Sequence, residues 1–162
     1  MAEVDAADIE GAVARALERH RSSAGALLPV LHDVQHDVGF IPDESVEAIA
    51  RGLNLSRAEV HGVITYYHHF RRHAPARHVV QLCQAEACQS MGAERLATHA
   101  QARLGCAMNG ATRDGRFALE SVYCLGLCAS SPSMMIGERV FARVTPEHFD
   151  RLVGALDRKA AP

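Results

Sequence analysis

Four of the five cysteines in this chain fall in two close pairs, Cys83 with Cys88 and Cys124 with Cys128. Thiolates are soft ligands, and four of them suit either a tetrahedral zinc ion or an iron–sulfur cluster. The spacings, C-x4-C and C-x3-C, both fall inside the range used by zinc. Two features favour a [2Fe-2S] cluster. Zinc pairs most often form a tight knuckle with two intervening residues, whereas the wider loops here suit a rhomb in which each pair holds a different iron. The second loop, Leu125-Gly126-Leu127, is apolar, and its glycine lets backbone amides approach sulfur. Ser130 and Ser131 follow Cys128 closely enough for a hydroxyl to reach a sulfur and tune its potential. Spacing by itself leaves zinc open.

Other roles for these residues are weaker. Single cysteines are usually small buried hydrophobes, but two tight pairs are poorly explained that way. Cys106 is unpaired at the end of a helical pattern and is expected to be structural. A thiol-redox enzyme would place C-x-x-C at a helix N-terminus, and C-x4-C is too wide for it. None of the ten histidines, His61, His68 and His69 included, has a partner at ligand spacing.

Composition sets the context for the thiols. The 162 residues are 48% hydrophobic and 22% charged, with a net charge of −2. Such a chain is globular, of one ordinary domain or two small ones, and gives no reason to expect a nucleic-acid partner. No apolar run approaches the ~20 residues of a membrane span. The acidic start, Met1-Ala2-Glu3-Val4-Asp5, lacks the basic and apolar regions of a secretion signal. A cytoplasmic location is therefore expected, where thiols stay reduced and metal ligation is preferred to disulfides.

The elements that must position the cysteines read as two segments. Residues 1–72 are helical in pattern. Ile9, Val13, Ala16 and Leu17 recur at helical spacing, as do Leu27, Val30, Leu31, Val34 and Val38. Pro29 suits a first turn and Gly39 a helix end. Asp43 is expected to cap a third helix bearing Val46, Ile49, Ala50 and Leu53. Ser56-x-x-Glu59 is a capping box for a fourth, which should carry Val60, Val63, Ile64 and Tyr67 inward. This bundle is expected to dock a partner, with Tyr66, Tyr67 and Phe70 serving either as core or as anchor. The polar stretch around Pro75 marks a boundary.

Residues 73–162 alternate. Val79–Leu82 is strand-like, and residues 92–104 form a helical pattern. Asp114-Gly115 signals a turn before a strand at 116–119, and the apolar run 119–123 leads to the second pair. Strands at 133–136 and 140–144 flank a hairpin, and Thr145-Pro146-Glu147 opens a last helix. The expected fold is α+β: an N-terminal helical bundle, then a thioredoxin-like α/β domain with a mixed sheet, the two cysteine loops following its strands.

These motifs make the chain recognisable. Leu27-Leu28-Pro29, Gly39-Phe40-Ile41-Pro42, the stretch from Leu55 to Tyr67 and Cys124-Leu125-Gly126-Leu127-Cys128 resemble a particular family. It comprises the small [2Fe-2S] subunits that accompany the NADH-binding flavoprotein in respiratory complex I, in NAD-linked bidirectional hydrogenases and in soluble NAD-dependent formate dehydrogenases. Residues 58–70 and 85–94 resemble the gamma subunit of the formate enzymes most. Ala129-Ser130-Ser131-Pro132 departs from the Ala-x-Gly-Pro or Ala-x-Ala-Pro of many relatives, which bears on the potential and leaves the ligands intact.

The resemblance implies one [2Fe-2S] cluster on Cys83, Cys88, Cys124 and Cys128. It implies single-electron exchange with the FMN of an NAD(H)-binding flavoprotein subunit. It also implies a larger molybdopterin-containing formate dehydrogenase subunit in the same assembly, and no substrate site in this chain. The equivalent subunit of complex I or of a hydrogenase is the alternative. From a different class come a zinc-stabilised interaction module and a thioredoxin-like thiol enzyme.

Overall fold

The computed structural model describes residues 5–159, with side chains of the last helix described through Leu156. The chain divides between Pro75 and Ala76 into two compact units.

The first unit holds four helices: α1 (Ala6–Arg19), α2 (Leu27–Val38), α3 (Ser45–Leu53) and α4 (Arg57–Tyr66). Each buries one apolar stripe, because residues three and four apart share a helix face. Val13, Ala16, Val30, Leu31, Val34, Ile49, Val60 and Ile64 meet in a single core. Asp5 caps α1, its carboxylate accepting from the Ala7 amide. The capping box at Ser56 and Glu59 forms as the sequence requires, and Gly39 ends α2 in the left-handed region at φ 92°. Gln35, buried on α2, fastens the segment after α4. Its amide donates to the His69 carbonyl at 2.9 Å, and its oxygen accepts from the Arg71 amide at 2.7 Å.

Two expectations for this unit are corrected. Asp43 does not cap α3. Its carboxylate is held by a two-pronged contact with Arg72, at 2.8–3.1 Å, and the turn before α3 closes instead through the Ser45 hydroxyl on the Pro42 carbonyl. A guanidinium offers a carboxylate two charge-assisted bonds, which outcompete one backbone amide. Tyr67 does not point inward. It sits just past α4 with an extended backbone and is 43% exposed, while Tyr66 is 75% exposed and Phe70 alone enters the core.

The second unit has a five-stranded mixed sheet. Its strands are β1 (His78–Cys83), β2 (Gly110–Ala111), β3 (Phe117–Val122), β4 (Met134–Ile136) and β5 (Arg139–Phe141), in spatial order β2-β3-β1-β4-β5. β1 and β3 are parallel, and the other neighbours are antiparallel. A parallel pair needs a crossover, supplied here by α5 (Glu86–Ser90) and α6 (Ala93–Leu104). α6 and the final helix α7 (Pro146–Lys159) bury Leu96, Ala100, Phe149 and Val153 against Val80, Leu82, Leu119 and Met134 of the sheet. The Thr145 hydroxyl accepts from the His148 amide and caps α7. This is the α+β, thioredoxin-like arrangement expected.

The details differ in three places. The single-turn α5 is absent from the helical periodicity, because five residues do not complete a repeat. The stretches read separately at 116–119 and 119–123 form one strand, β3, which ends at Val122. The two-residue β2, paired antiparallel to β3 across the Asp114-Gly115 turn, carries no alternation for the sequence to show. Among the described residues, no helix is long and apolar enough to cross a membrane.

Candidate metal centre

The parallel pairing of β1 with β3 places the cysteines. In this register Cys83, the last residue of β1, lies opposite Val122, the last residue of β3. Both strands therefore deliver their following loops to one edge of the sheet, the carboxyl edge where α/β folds commonly seat ligands. Cys124 comes two residues after β3. Cys88 sits on α5, and Cys128 opens the 3₁₀ turn Cys128–Ser130. The amide of Cys83 donates to the Ser133 carbonyl at 3.1 Å, and that of Gln84 to the Val122 carbonyl at 2.8 Å. Cys83 is thus tied to both neighbouring strands.

The two pairs differ in surroundings. Cys83 and Cys88 are 3% and 2% exposed and pack with Ala93, Val122 and Leu125. Cys124 and Cys128 are exposed, with their sulfurs 3.7 Å apart. Two sulfurs on one tetrahedral metal with bonds of ~2.3 Å would lie about 3.8 Å apart, so this pair already has the spacing of two ligands to one ion. Cys124 holds φ at 90°, a region costly for a residue with a side chain, and Gly126 follows at φ 77°. This winding brings the Gly126 amide to the Cys124 sulfur at 3.4 Å.

The thiols respond to these settings in opposite directions. Burial pushes Cys88 up, but its hydrogen bonds with the Ser133 and Ser131 hydroxyls and with Cys83 outweigh it, and the net shift is downward. Cys128 is pushed up, first by its hydrogen bond and charge interaction with Cys124. Cys83 and Cys88 also lie within electrostatic range of it. Like charges crowding one another is the problem a bound cation removes.

Among the described residues, no three Cys, His, Asp or Glu side chains converge on one point. The sulfurs come as two pairs at one sheet edge. That arrangement fits a two-iron cluster, in which each iron takes two protein sulfurs. Cys106 stands apart, packed with Leu104 and Met108 against the sheet–helix core, and burial pushes its thiol up. Some histidines are engaged elsewhere: His20 with Asp33, His99 with Asp150, and His32 against His69 and Phe70.

Of the two serines expected near a sulfur, Ser131 is there and Ser130 is not: the bonds that hold Ser130 run through its backbone, from its amide to the Leu127 carbonyl and from the Arg143 amide to its carbonyl. The hydroxyls beside sulfur belong to Ser131 and Ser133, each 3.5 Å from Cys88 Sγ. In the sequence Ser133 reads only as the start of a strand. Its signal is one of register. Met134 pairs with Leu82 across β1 and β4, so the preceding residue must stand beside Cys83.

The model of the thioredoxin-like [2Fe-2S] ferredoxin family matches residues 13–157. A subunit of the NADH-quinone oxidoreductase of Escherichia coli (strain K12) is 32% identical over 151 residues, covering 93% of this chain and 90% of that one. The HndA subunit of the NADP-reducing hydrogenase of Solidesulfovibrio fructosivorans is 29% identical over 141 residues, covering 87% and 82%. The crystal structure of an NAD+-reducing [NiFe]-hydrogenase in the air-oxidised state superposes with a TM-score of 0.73 at 22% identity, over 89% of this chain. The present chain spans only 24% of that longer one, and the likeness concerns the fold. The chain belongs to the thioredoxin-like [2Fe-2S] ferredoxin family, as an electron-transfer protein related to subunits of NADH-quinone oxidoreductase and of hydrogenase, with one [2Fe-2S] cluster as its cofactor.

Proposed function

We propose that this chain is the [2Fe-2S] subunit of an NAD(P)-linked oxidoreductase and exchanges single electrons with the FMN of an NAD(H)-binding flavoprotein subunit. The observation that carries this reading is the family match over residues 13–157 to a chain whose two cysteine pairs share one sheet edge. When bound, the cluster would supply one-electron storage. The proposed ligands are Cys83, Cys88, Cys124 and Cys128. The chain's own part is to hold one pair dry, present the other at the surface, and aim donors at the sulfurs. Catalysis at NAD(H) and at the second substrate belongs to other subunits.

For the parent assembly, the hydrogenase and NADH-quinone oxidoreductase relatives favour those two classes over the formate dehydrogenase that the sequence suggested most strongly. The formate reading, with its molybdopterin subunit, keeps the support of residues 58–70 and 85–94 alone. Co-purification from the native host separates the three. A nickel–iron subunit, a membrane arm or a molybdopterin subunit would accompany the chain in each case. A chain that purifies without any flavoprotein would overturn the main reading.

The first unit is proposed to dock that flavoprotein. Its support is a mostly apolar groove of about 480 Å³ lined by Leu27, Leu55, Glu59, Gly62, Val63, Tyr66 and Tyr67, two exposed aromatics among them. Aromatic anchors of this kind dominate binding energies at interfaces. The second unit has its own core, so a chain beginning near residue 74 should assemble the cluster yet fail to co-purify with the flavoprotein. Normal co-purification of that truncation refutes the docking role.

A further inference from the structure

Two hydroxyls stand at equal distance from one buried sulfur, yet only one of them has a hydrogen to offer it. Ser131 and Ser133 are 7% and 1% exposed, and each places Oγ 3.5 Å from Cys88 Sγ. A serine hydroxyl carries a single hydrogen. That of Ser131 is committed to the Cys128 carbonyl at 2.8 Å. The hydrogen-bond partner of the Ser133 hydroxyl is Cys88 Sγ. A metal-bound thiolate has no hydrogen of its own and only accepts, so Ser133 is the side that donates.

We infer that the Ser133 hydroxyl sets the reduction potential of the cluster by donating to Cys88 Sγ, while the equally close Ser131 ties down the Cys128 loop instead. The inference rests on the proposed role of Cys88 as a ligand.

The backbone gives Ser133 the rigidity this requires. Its carbonyl accepts from the Cys83 amide at 3.1 Å, and Met134 beside it is fully buried opposite Leu82. Ser133 is therefore fixed against both members of the buried pair. Reduction adds one electron to the cluster and asks for no proton from Ser133, whose hydrogen stays on oxygen throughout. A donor aimed at sulfur stabilises the more negative, reduced state more than the oxidised one and so raises the potential. Because Cys88 is 2% exposed, water cannot take the place of a deleted hydroxyl. At exposed Cys124 it can, so the Gly126 amide there is the less decisive donor.

EPR-monitored redox titration of the purified iron-loaded protein tests this. Ser133→Ala should keep two irons per chain and lower the reduced-to-oxidised ratio at a given potential about tenfold, which is ~59 mV for one electron. Ser133→Thr should restore the ratio, and Ser131→Ala should move it less. An unchanged potential in iron-replete Ser133→Ala overturns the inference, as does a larger shift in Ser131→Ala. Ser133→Gly removes the same hydroxyl and replaces the alanine variant if that does not load. Loss of iron in both, with retention in Ser133→Thr, would mean that the hydroxyl holds the cluster rather than tunes it, and also overturns the inference. Cys88→Ala, run in parallel, separates the two levels. An intact cluster in that variant removes the ligand assignment and this inference with it. A lost cluster there, with an unmoved potential in Ser133→Ala, removes this inference alone.

Discussion

The two cysteine pairs share one motif type and one sheet edge, but they are built differently. Cys83 ends a central strand, and Cys88 lies on the helical turn that follows. Both are buried, and Cys88 has two hydrogen-bonding hydroxyls beside its sulfur. Cys124 and Cys128 ride on a short exposed loop whose shape depends on two positive φ angles and on an amide turned to sulfur. The first pair borrows its rigidity from the sheet, and the second makes its own from local backbone. The metal-binding task proposed for both pairs would thus be met by tertiary packing in one and by loop geometry in the other. A surface-exposed pair backed by a buried one suits electron exchange, because one side meets the partner while the other excludes water.

The largest effect expected is loss of the cluster on breaking either pair. Alanine at Cys83, Cys88, Cys124 or Cys128 should remove the iron and the reduced-state EPR signal, whereas Cys106→Ser should keep both. Full iron content in Cys128→Ala together with loss in Cys106→Ser would overturn the ligand assignment. Next comes access. In the iron-free protein, an alkylating reagent followed by peptide mapping should label Cys124 and Cys128 on the order of a hundredfold faster than Cys83 and Cys88. That ratio corresponds to ~2.8 kcal/mol of local opening at ~1.4 kcal/mol per decade. Equal rates would show that the difference in burial does not survive in solution.

Stability should separate the pairs further. Met134 is fully buried beside Ser133 and opposite Leu82. Met134→Ala should cost about 2–5 kcal/mol by denaturant unfolding, since it leaves a cavity in the sheet–helix core that carries β1. Gly126→Ala meets no atom within 4 Å but must hold φ at 77°. It should cost only about 1–2 kcal/mol, the strain of a left-handed residue, with the cluster retained. If Gly126→Ala costs more than Met134→Ala, the loop rather than the sheet is the stiffer support.

Much of this was legible in the chain. The capping box of α4, the glycine end of α2, the Asp114-Gly115 turn and the pairing of the four cysteines depend on residues a few positions apart, and local chemistry decides them. The family also followed from such motifs. The branch within it is a finer matter: residues 58–70 and 85–94 pointed to the formate enzymes, and the relatives described above belong to a hydrogenase and to NADH-quinone oxidoreductase. What the sequence could not settle was competition between distant partners. Asp43 had an adjacent helix to cap and took Arg72 instead, a residue 29 positions away. Tyr67 lay on the apolar stripe of α4, but the helix ended before it and left it outside. By spacing, Ser130 and Ser131 are the hydroxyls near a sulfur, and Ser133 reads only as the start of a strand. Only the antiparallel pairing of β4 with β1 decided that Ser133, 45 residues from Cys88, meets its sulfur. Local spacing determined which residues could bind a cluster, because ligand pairs and caps are short-range. Which pair is dry, and which hydroxyl faces it, was decided by strand order and register, which a chain acquires only on folding.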